Sequence, residues 1–331
     1  MKRILTAVAL LLISTSAYAD RYSLVVTTWP ANEVFVIADQ KGFYKKEGVA
    51  VDLKYFTVFP DWFKAIASNR FDFIPIWFST LMGLHLDNNA KHIAVGTTMD
   101  CLGPAAIVST KDSAQKGMRI GMTAPILGFQ HMFWRYLSDN NLKLSDVRQV
   151  ILSADDLVNN FARKRIQSIL VFGDYVNQAA LKHDAVVWKY PEALPSPGLT
   201  IVALPRNKID LIPQKDIQAL LRAHIAAQKW ILNPANEAEF RDIVLRYFAG
   251  SQMENLFKTD KAFANYKQNY RPRYFITTDD LSFYSKKGLE AYFHEALAVR
   301  KQSQLSYDLN FREMVDNSAL DVVLSEMNRS E

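Results

Sequence analysis

The chain has 331 residues, of which 49% are hydrophobic and 22% are charged, a composition that indicates a folded globular protein and excludes a fibrous or disordered one. Its formal net charge of +5 comes from scattered basic residues, and the longest basic run, Arg163-Lys164-Arg165, is too short to predict a nucleic-acid-binding surface. The single cysteine, Cys101, excludes an intrachain disulfide and any paired-cysteine metal motif.

The first nineteen residues have the pattern of a secretory signal peptide. Lys2 and Arg3 precede an apolar run over residues 4–13, and the triplet Ala17-Tyr18-Ala19 stands directly before Asp20. The run is shorter than the ~20 residues that span a bilayer. We therefore expect a signal peptide over residues 1–19, a periplasmic protein starting at Asp20, and no lipid anchor, because Asp20 and not a cysteine stands directly after the cleavage site. A buried N-terminal helix is the alternative.

The next part of the chain alternates strand and helix patterns. β-branched and alternating apolar segments predict strands, and apolar residues at helical spacing predict helices between them. The strands are predicted at residues 22–28, 49–56, 71–77, 92–97 and 105–109, and the helices at residues 31–46, 61–69 and 79–86. This alternation is typical of βαβ units with a mainly parallel sheet, so the predicted class is α/β.

A second alternating unit follows near residue 113, and a mostly helical region follows that. The second unit has predicted strands at residues 119–122, 147–152, 168–172, 186–188 and 199–204, with helices at residues 129–137, 157–164 and 174–183. Later helices are predicted at residues 214–232, 235–249, 261–269, 279–298 and 318–327. We predict two lobes, a discontinuous first lobe of residues 20–108 and 205–331 and a second lobe of residues 109–204.

Two chain crossings, near residues 107 and 202, would join these lobes and could act as a hinge. Ligands of open α/β sheets lie beyond the carboxyl ends of the strands. The cleft between the lobes is therefore the predicted binding site.

Several segments of the chain match motifs of a known family. The most specific is Gly42-Phe43-Tyr44-Lys45-Lys46-Glu47-Gly48, and this G-F-Y-K-K-E-G segment resembles that of the periplasmic solute-binding proteins that serve ABC importers for nitrate, sulfonates, taurine and thiamine precursors. Asp72 and the segment from Lys116 to Gly121 match weaker motifs, and the segment from Met314 to Ser318 is similar to a tail of the thiamine-precursor branch. The resemblance implies a two-lobed type II periplasmic binding protein fold and an inner-membrane ABC permease as partner.

Candidate ligand-binding residues follow the ends of the predicted strands. In the first lobe they are Trp29, Phe59, Asp61, Trp77, Phe78 and Ser79. In the second lobe they are Thr123, Gly128, Phe129, Phe172, Asp174 and Tyr175. Each has a structural alternative, because aromatic side chains also fill cores and Asp61 and Asp174 also suit the first turn of a helix.

Aromatic faces and carboxylates predominate among these candidates, which predicts a small heteroaromatic ligand such as a thiamine-precursor pyrimidine. The loop over residues 123–129 has fewer hydroxyls than anion binders of the family show, but a sulfonate, taurine or nitrate ligand stays open, as does a ligand sensor that docks on a membrane receptor. No catalytic motif is present, so we expect a binding protein and not an enzyme, with no cofactor, no metal and no nucleic acid. A monomer is expected.

Overall fold

The structure, a computed structural model, describes residues 21–57, 59–87, 91–100, 105–110, 115–124, 126–182, 184–189, 198–269, 294 and 313–329. The predicted signal peptide, Cys101 and, apart from residue 294, the predicted helix over residues 279–298 lie outside these residues. Within them, no helix is both long enough and apolar enough to cross a bilayer.

The first sheet is built from both halves of the chain. Its strands are β1 (Arg21–Thr27), β2 (Ala50–Phe56), β3 (Ile74–Trp77), β4 (His92–Asp100) and β10 (Leu199–Pro205). β1 pairs with β2 in parallel, and a bridge between Leu24 and Phe73 connects β1 to the start of β3. β10 lies between β3 and β4 and is antiparallel to both. The strand that returns late in the chain therefore completes the sheet begun by the first four.

The second sheet has the order β7-β6-β8-β5-β9. Its strands are β5 (Ala105–Ser109), β6 (Arg119–Met122), β7 (Arg148–Ile151), β8 (Ser168–Phe172) and β9 (Val186–Trp188). β6 is parallel to β7 and β8, whereas β5 is antiparallel to β8 and β9. Because β5 belongs to this sheet and β10 to the first, the chain crosses between the sheets before each of these strands. The division into two lobes at residues 108 and 204 stays a proposal.

Helices cover both sheets, and their apolar faces form the cores. In chain order they are α1 (Glu33–Gln40), α2 (Phe43–Lys46), α3 (Phe59–Ala67), α4 (Phe78–Asp87), α5 (Leu127–Asp139), α6 (Ala154–Ala162), α7 (Asp174–Ala180), α8 (Gln214–Leu232), α9 (Glu237–Tyr247), α10 (Gln252–Phe257), α11 (Asp260–Asn269) and α12 (Ser318–Asn328). The helix predicted over residues 31–46 is two helices, because Gly42 adopts a left-handed φ of 69° between them.

The family-like motifs have structural roles in this fold. Asp72 precedes β3, and its carboxylate accepts hydrogen bonds from the backbone N–H (2.8 Å) and hydroxyl (2.7 Å) of Ser23 and from Nζ of Lys208 (2.7 Å). Burial alone would raise the pKa of Asp72, but the bonds from Lys208 and Ser23 outweigh it and lower the pKa. The strands β1, β3 and β10 are thereby tied together at one end of the first sheet.

Gly121 and the tail are also explained by packing. A Cβ at Gly121 would lie 2.5 Å from Cδ2 of Leu157, so a larger residue at this position would require the Leu157 side chain to move. In the tail, Met314 is fully buried, and the backbone beside Val315 pairs with Ala94 of β4. The tail segment therefore extends the first sheet beyond β4.

Candidate ligand-binding site

Four aromatic rings from the two sheets meet at the carboxyl ends of the strands. Trp29 follows β1, Trp77 ends β3, Phe172 ends β8, and Phe129 lies in the first turn of α5, which follows β6. The ring centroids of Trp29 lie 5.2 Å from Trp77 and 5.1 Å from Phe172. Phe129 lies 5.4 Å from Trp77 and 5.2 Å from Phe172. We call Trp29, Trp77, Phe129 and Phe172 the ring cluster.

The ring cluster joins the two sheets through apolar contact. Trp77 and Phe129 are only 5% and 2% exposed, and the other two rings are partly buried. Most of the ring pairs are edge-to-face, the geometry that the quadrupoles of aromatic rings favour. Leu127, two residues before Phe129, packs into the core of the first sheet with Val25 and Ile74. The sheets are therefore in contact at the predicted cleft, and a ligand entering there would replace ring–ring contacts with ring–ligand contacts.

One polar atom of the ring cluster has no partner among the described residues. The indole Nε1 of Trp29 is buried and makes no hydrogen bond with the described part of the chain. A buried N–H donor without an acceptor costs roughly 1–3 kcal/mol. This atom is therefore suited to donate a hydrogen bond to a ligand held among the rings.

The loop that carries Trp29 is held by polar contacts between its own residues. The side-chain oxygen of Asn32 accepts from the backbone N–H of Thr27 (3.0 Å), and the Thr27 hydroxyl accepts from the backbone N–H of Trp29 (3.2 Å). Ala31 has a φ of 89°, a left-handed conformation that non-glycine residues rarely adopt. The backbone of the loop is thus constrained at Trp29 and on both sides of it.

A buried carboxylate completes this network. Oε2 of Glu33 accepts from the backbone N–H of Ala31 (2.8 Å), and Oε1 accepts from the hydroxyl of Tyr266 in α11 (2.5 Å). Glu33 is fully buried, and this burial raises the pKa of its carboxyl although the hydrogen bonds from Tyr266 and the loop oppose the shift. The loop is therefore anchored to a helix near the other end of the chain.

Phe78, a further first-lobe candidate, lies apart from the ring cluster. Phe78 is fully buried in the core of the first sheet with Leu81 and Met82, because it begins α4 and points away from the strand end that Trp77 occupies. Ser79 follows it and is also buried. Asp61 is exposed in the first turn of α3, and the side chain of Phe59 lies outside the described residues.

The other second-lobe candidates lie either next to Phe129 or on the surface. Thr123 is half-buried and Gly128 is buried, and both lie close to Phe129 in the chain, between the end of β6 and the first turn of α5. Asp174 is exposed, and its carboxylate accepts from Nε2 of Gln178 one turn later (3.0 Å). The hydroxyl of Tyr175 donates to Asp155 (3.1 Å), and burial together with that carboxylate raises the pKa of Tyr175. The structure thus brings together four of the twelve candidates as contacting rings.

Sequence reasoning missed Asn32, Glu33 and Tyr266. The glutamate directly before the apolar stretch Val34-Phe35-Val36-Ile37 gave a signal, since an acid on the buried face of a helix calls for a partner. Nothing in the sequence pointed to Tyr266, which is 233 positions away from Glu33.

The chemistry available at the ring cluster is that of binding. The rings offer flat apolar faces, and Trp29 Nε1 offers one directed donor. Among the described residues, no group of three or more His, Cys, Asp or Glu side chains could hold a metal ion.

The family model described as the NMT1-like family matches residues 25–245, about two thirds of the chain. No curated protein matches the chain. Among solved structures, the alkanesulfonate-binding protein SsuA from Xanthomonas axonopodis pv. citri bound to MOPS is 14% identical, with a TM-score of 0.62 over 90% of this chain and 98% of that one.

Two further structures show the same fold. The periplasmic nitrate-binding protein NrtA from Synechocystis PCC 6803 is 14% identical, with a TM-score of 0.62 over 94% of this chain and 89% of that one. The Candida albicans CA3427 gene product, described as having the generic periplasmic binding protein fold, is 11% identical, with a TM-score of 0.61 over 93% of this chain and 94% of that one. At these identities the similarity shows that the chain has the periplasmic binding protein fold, which confirms the predicted fold class.

Proposed function

We propose that this chain, which belongs to the NMT1-like family, is the periplasmic solute-binding component of an ABC importer. The sulfonate- and nitrate-binding names of the structural neighbours support a binding protein of this kind. The signal-peptide pattern of residues 1–19 supports a periplasmic location, and an inner-membrane permease would be its partner. The protein would act as a monomer, without a cofactor and without catalysing a reaction.

We further propose that the ligand is a small heteroaromatic compound, such as a thiamine-precursor pyrimidine, held within the ring cluster. The observation that carries this proposal is Nε1 of Trp29, which lies among four rings from two sheets and has no partner in the described part of the chain. A flat ring with an acceptor nitrogen or oxygen would satisfy that donor and stack on the neighbouring faces. Asp61 and Asp174, which are both exposed, stay predicted hydrogen-bond acceptors for an amino group of the ligand.

The composition of the ring cluster argues against an oxyanion ligand. Binding a sulfonate or nitrate calls for Arg, Lys or several hydroxyl and N–H donors at the site. The four rings carry no charge, and Trp29 Nε1 is the one buried donor among them that has no partner in the described part of the chain. Leu127, Gly128 and Phe129 do begin a helix whose N–H groups could receive an anion, so the anion remains the competing ligand class.

A thermal-shift panel separates these ligand classes. Purified protein starting at Asp20 would be heated with cytosine, an aminopyrimidine, thiamine, taurine, an alkanesulfonate or nitrate. A ligand at a hundred times its Kd stabilises the folded state by about 2.7 kcal/mol, which raises the Tm of a chain this size by about 5 °C. We expect the aminopyrimidine or a related base to raise the Tm. A rise with taurine, sulfonate or nitrate alone would replace this ligand class with an oxyanion.

A further inference from the structure

We infer that Glu33 and Tyr266 are positioning residues that set the orientation of the Trp29 ring and so the affinity of the site. This inference rests on the proposed binding role of Trp29. Neither residue belongs to the ring cluster. They act on the loop between β1 and α1 through the backbone of Ala31.

The two oxygens of the Glu33 carboxylate have separate partners. One accepts from the N–H of Ala31, and the other accepts from the hydroxyl of Tyr266. Glu33 is 0% exposed, and among the described residues no charged side chain contributes to the shift of its pKa. Burying a carboxylate without a cation is unfavourable, and an apolar residue would serve the core better. A glutamate at position 33 is explained because it supplies two hydrogen-bond acceptors, one for the N–H of Ala31 and one for the hydroxyl of Tyr266.

The Ala31 contact matters because the loop is strained there. With a φ of 89°, Ala31 adopts a conformation that persists only when the surrounding contacts impose it. Ala31 is 1% exposed and belongs to the same hydrophobic cluster as Trp77 and Phe129. The carboxylate of Glu33 fixes the amide of Ala31, and this amide lies two positions after Trp29. The direction of the Trp29 ring therefore depends on that bond.

Tyr266 connects the loop to an aromatic helical layer. It is 2% exposed, and its ring centroid lies 4.4 Å from that of Phe257 and 6.2 Å from that of Phe263. These contacts fix the ring, so its hydroxyl meets the Glu33 carboxylate from a constant direction. The position of α11 is thereby transmitted to the binding loop.

The test labels the protein with 5-fluorotryptophan and follows the ¹⁹F resonances without any ligand. The chain has six tryptophans, and Trp29→Phe and Trp230→Phe assign the two resonances of interest. We expect Tyr266→Phe and Glu33→Gln to shift or broaden the Trp29 resonance and to leave that of Trp230 unchanged. Resonances of Trp29 that match the wild type in both variants would overturn the inference. Because no ligand is used, failure of the proposed function would not affect this result.

A rescue experiment separates positioning from general support of the core. Glycine adopts positive φ readily, so Ala31→Gly removes the need for Glu33 to impose that conformation. In the double variant Ala31→Gly/Glu33→Gln, the Trp29 resonance should return toward its position in Ala31→Gly alone. The same displacement with alanine and with glycine at position 31 would show that Glu33 acts on the core and not on the loop.

Discussion

The two ends of the first sheet differ in how completely their polar groups are satisfied. At the amino ends of β1 and β3, both carboxylate oxygens of Asp72 accept hydrogen bonds, from Ser23 and from Lys208. At the carboxyl ends of the same strands, Trp29 and Trp77 pack against rings of the second sheet, and Nε1 of Trp29 has no acceptor in the described part of the chain.

This difference separates the parts of the sheet that maintain the fold from those available to a ligand. A charged group that already has all its hydrogen-bond partners stabilises the strands it joins and is not available to bind a ligand. An unpartnered donor among rings stabilises the unliganded protein less than it could, and the deficit is recovered when an acceptor binds. We therefore expect changes at the Asp72 end to alter stability and changes at the ring end to alter affinity.

The largest expected effect is that of Asp72→Ala on stability. The change leaves the N–H and hydroxyl of Ser23 and one contact of Lys208 without their acceptor. We expect the free energy of unfolding in urea to fall by about 3 kcal/mol. Asp52→Ala is the matched control, since Asp52 pairs with Lys54 in an exposed contact whose loss should cost at most about 0.5 kcal/mol. Equal stability of the two variants would contradict the structural role of Asp72.

The loss of folding stability at low pH gives a second prediction, because it should arise from a group that lies at neither end of the first sheet. Burial lowers the pKa of His224 in α8 to about 3, whereas the unfolded chain binds a proton near 6.5. As the pH falls from 6.5 toward 3, the unfolded state takes up the proton first, so stability declines by about 1.4 kcal/mol per unit from this group.

The variant His224→Gln tests that assignment. It should flatten the dependence of Tm on pH between 6.5 and 4.5, whereas Asp72→Ala should lower Tm without changing that slope. The pKa of Asp72 is lowered by its partners, so the stability it contributes is lost only below 3.8. A slope that His224→Gln leaves intact would place the acid sensitivity elsewhere.

A third prediction concerns the rings. Trp29→Ala should weaken binding of the compound that gives a positive thermal shift by about 1–3 kcal/mol, the range found for bases stacked on aromatic side chains. Trp230→Ala is the control, because Trp230 packs beneath Lys41, away from the ring cluster. Isothermal titration calorimetry of both variants measures the difference. Equal loss in the two variants, or none in Trp29→Ala, would place the ligand outside the ring cluster.

The smallest expected effect is that of deleting the indole donor alone. Trp29→Phe keeps an aromatic face but removes Nε1–H, so affinity should fall by about 0.5–1.5 kcal/mol while stability is maintained or increased. The gain in stability would come from removing an unsatisfied buried donor. Calorimetry should therefore show a lower affinity, and urea unfolding should show an equal or higher free energy of unfolding. A loss of stability without a loss of affinity would show that Nε1 does not donate a hydrogen bond to the ligand.

Local patterns predicted the elements well and the long-range contacts poorly. The strands Ser168–Phe172 and Val186–Trp188 and the helix Gln214–Leu232 have the predicted bounds, because their periodicity and their flanking residues agree. Trp77 and Phe78 were equivalent in the sequence, and the change from strand to helix between them sends one to the ring cluster and the other into the core.

The contacts of Glu33 and Tyr266 that hold the Trp29 loop could not be predicted, for a different reason. The hydrogen bond between Tyr266 and Glu33 depends on where α11 lies relative to the start of α1, and no local pattern encodes that placement. The rings themselves could be predicted, because strand ends in this fold class meet at one edge.

The most direct test of the central claim is a titration of protein labelled with 5-fluorotryptophan, followed by ¹⁹F NMR, with the aminopyrimidine used in the thermal-shift panel. The account predicts that the resonances of Trp29 and Trp77 shift together as the compound binds, while that of Trp230 stays in place. Saturable binding that leaves Trp29 and Trp77 unchanged would contradict the assignment of the ring cluster as the ligand site.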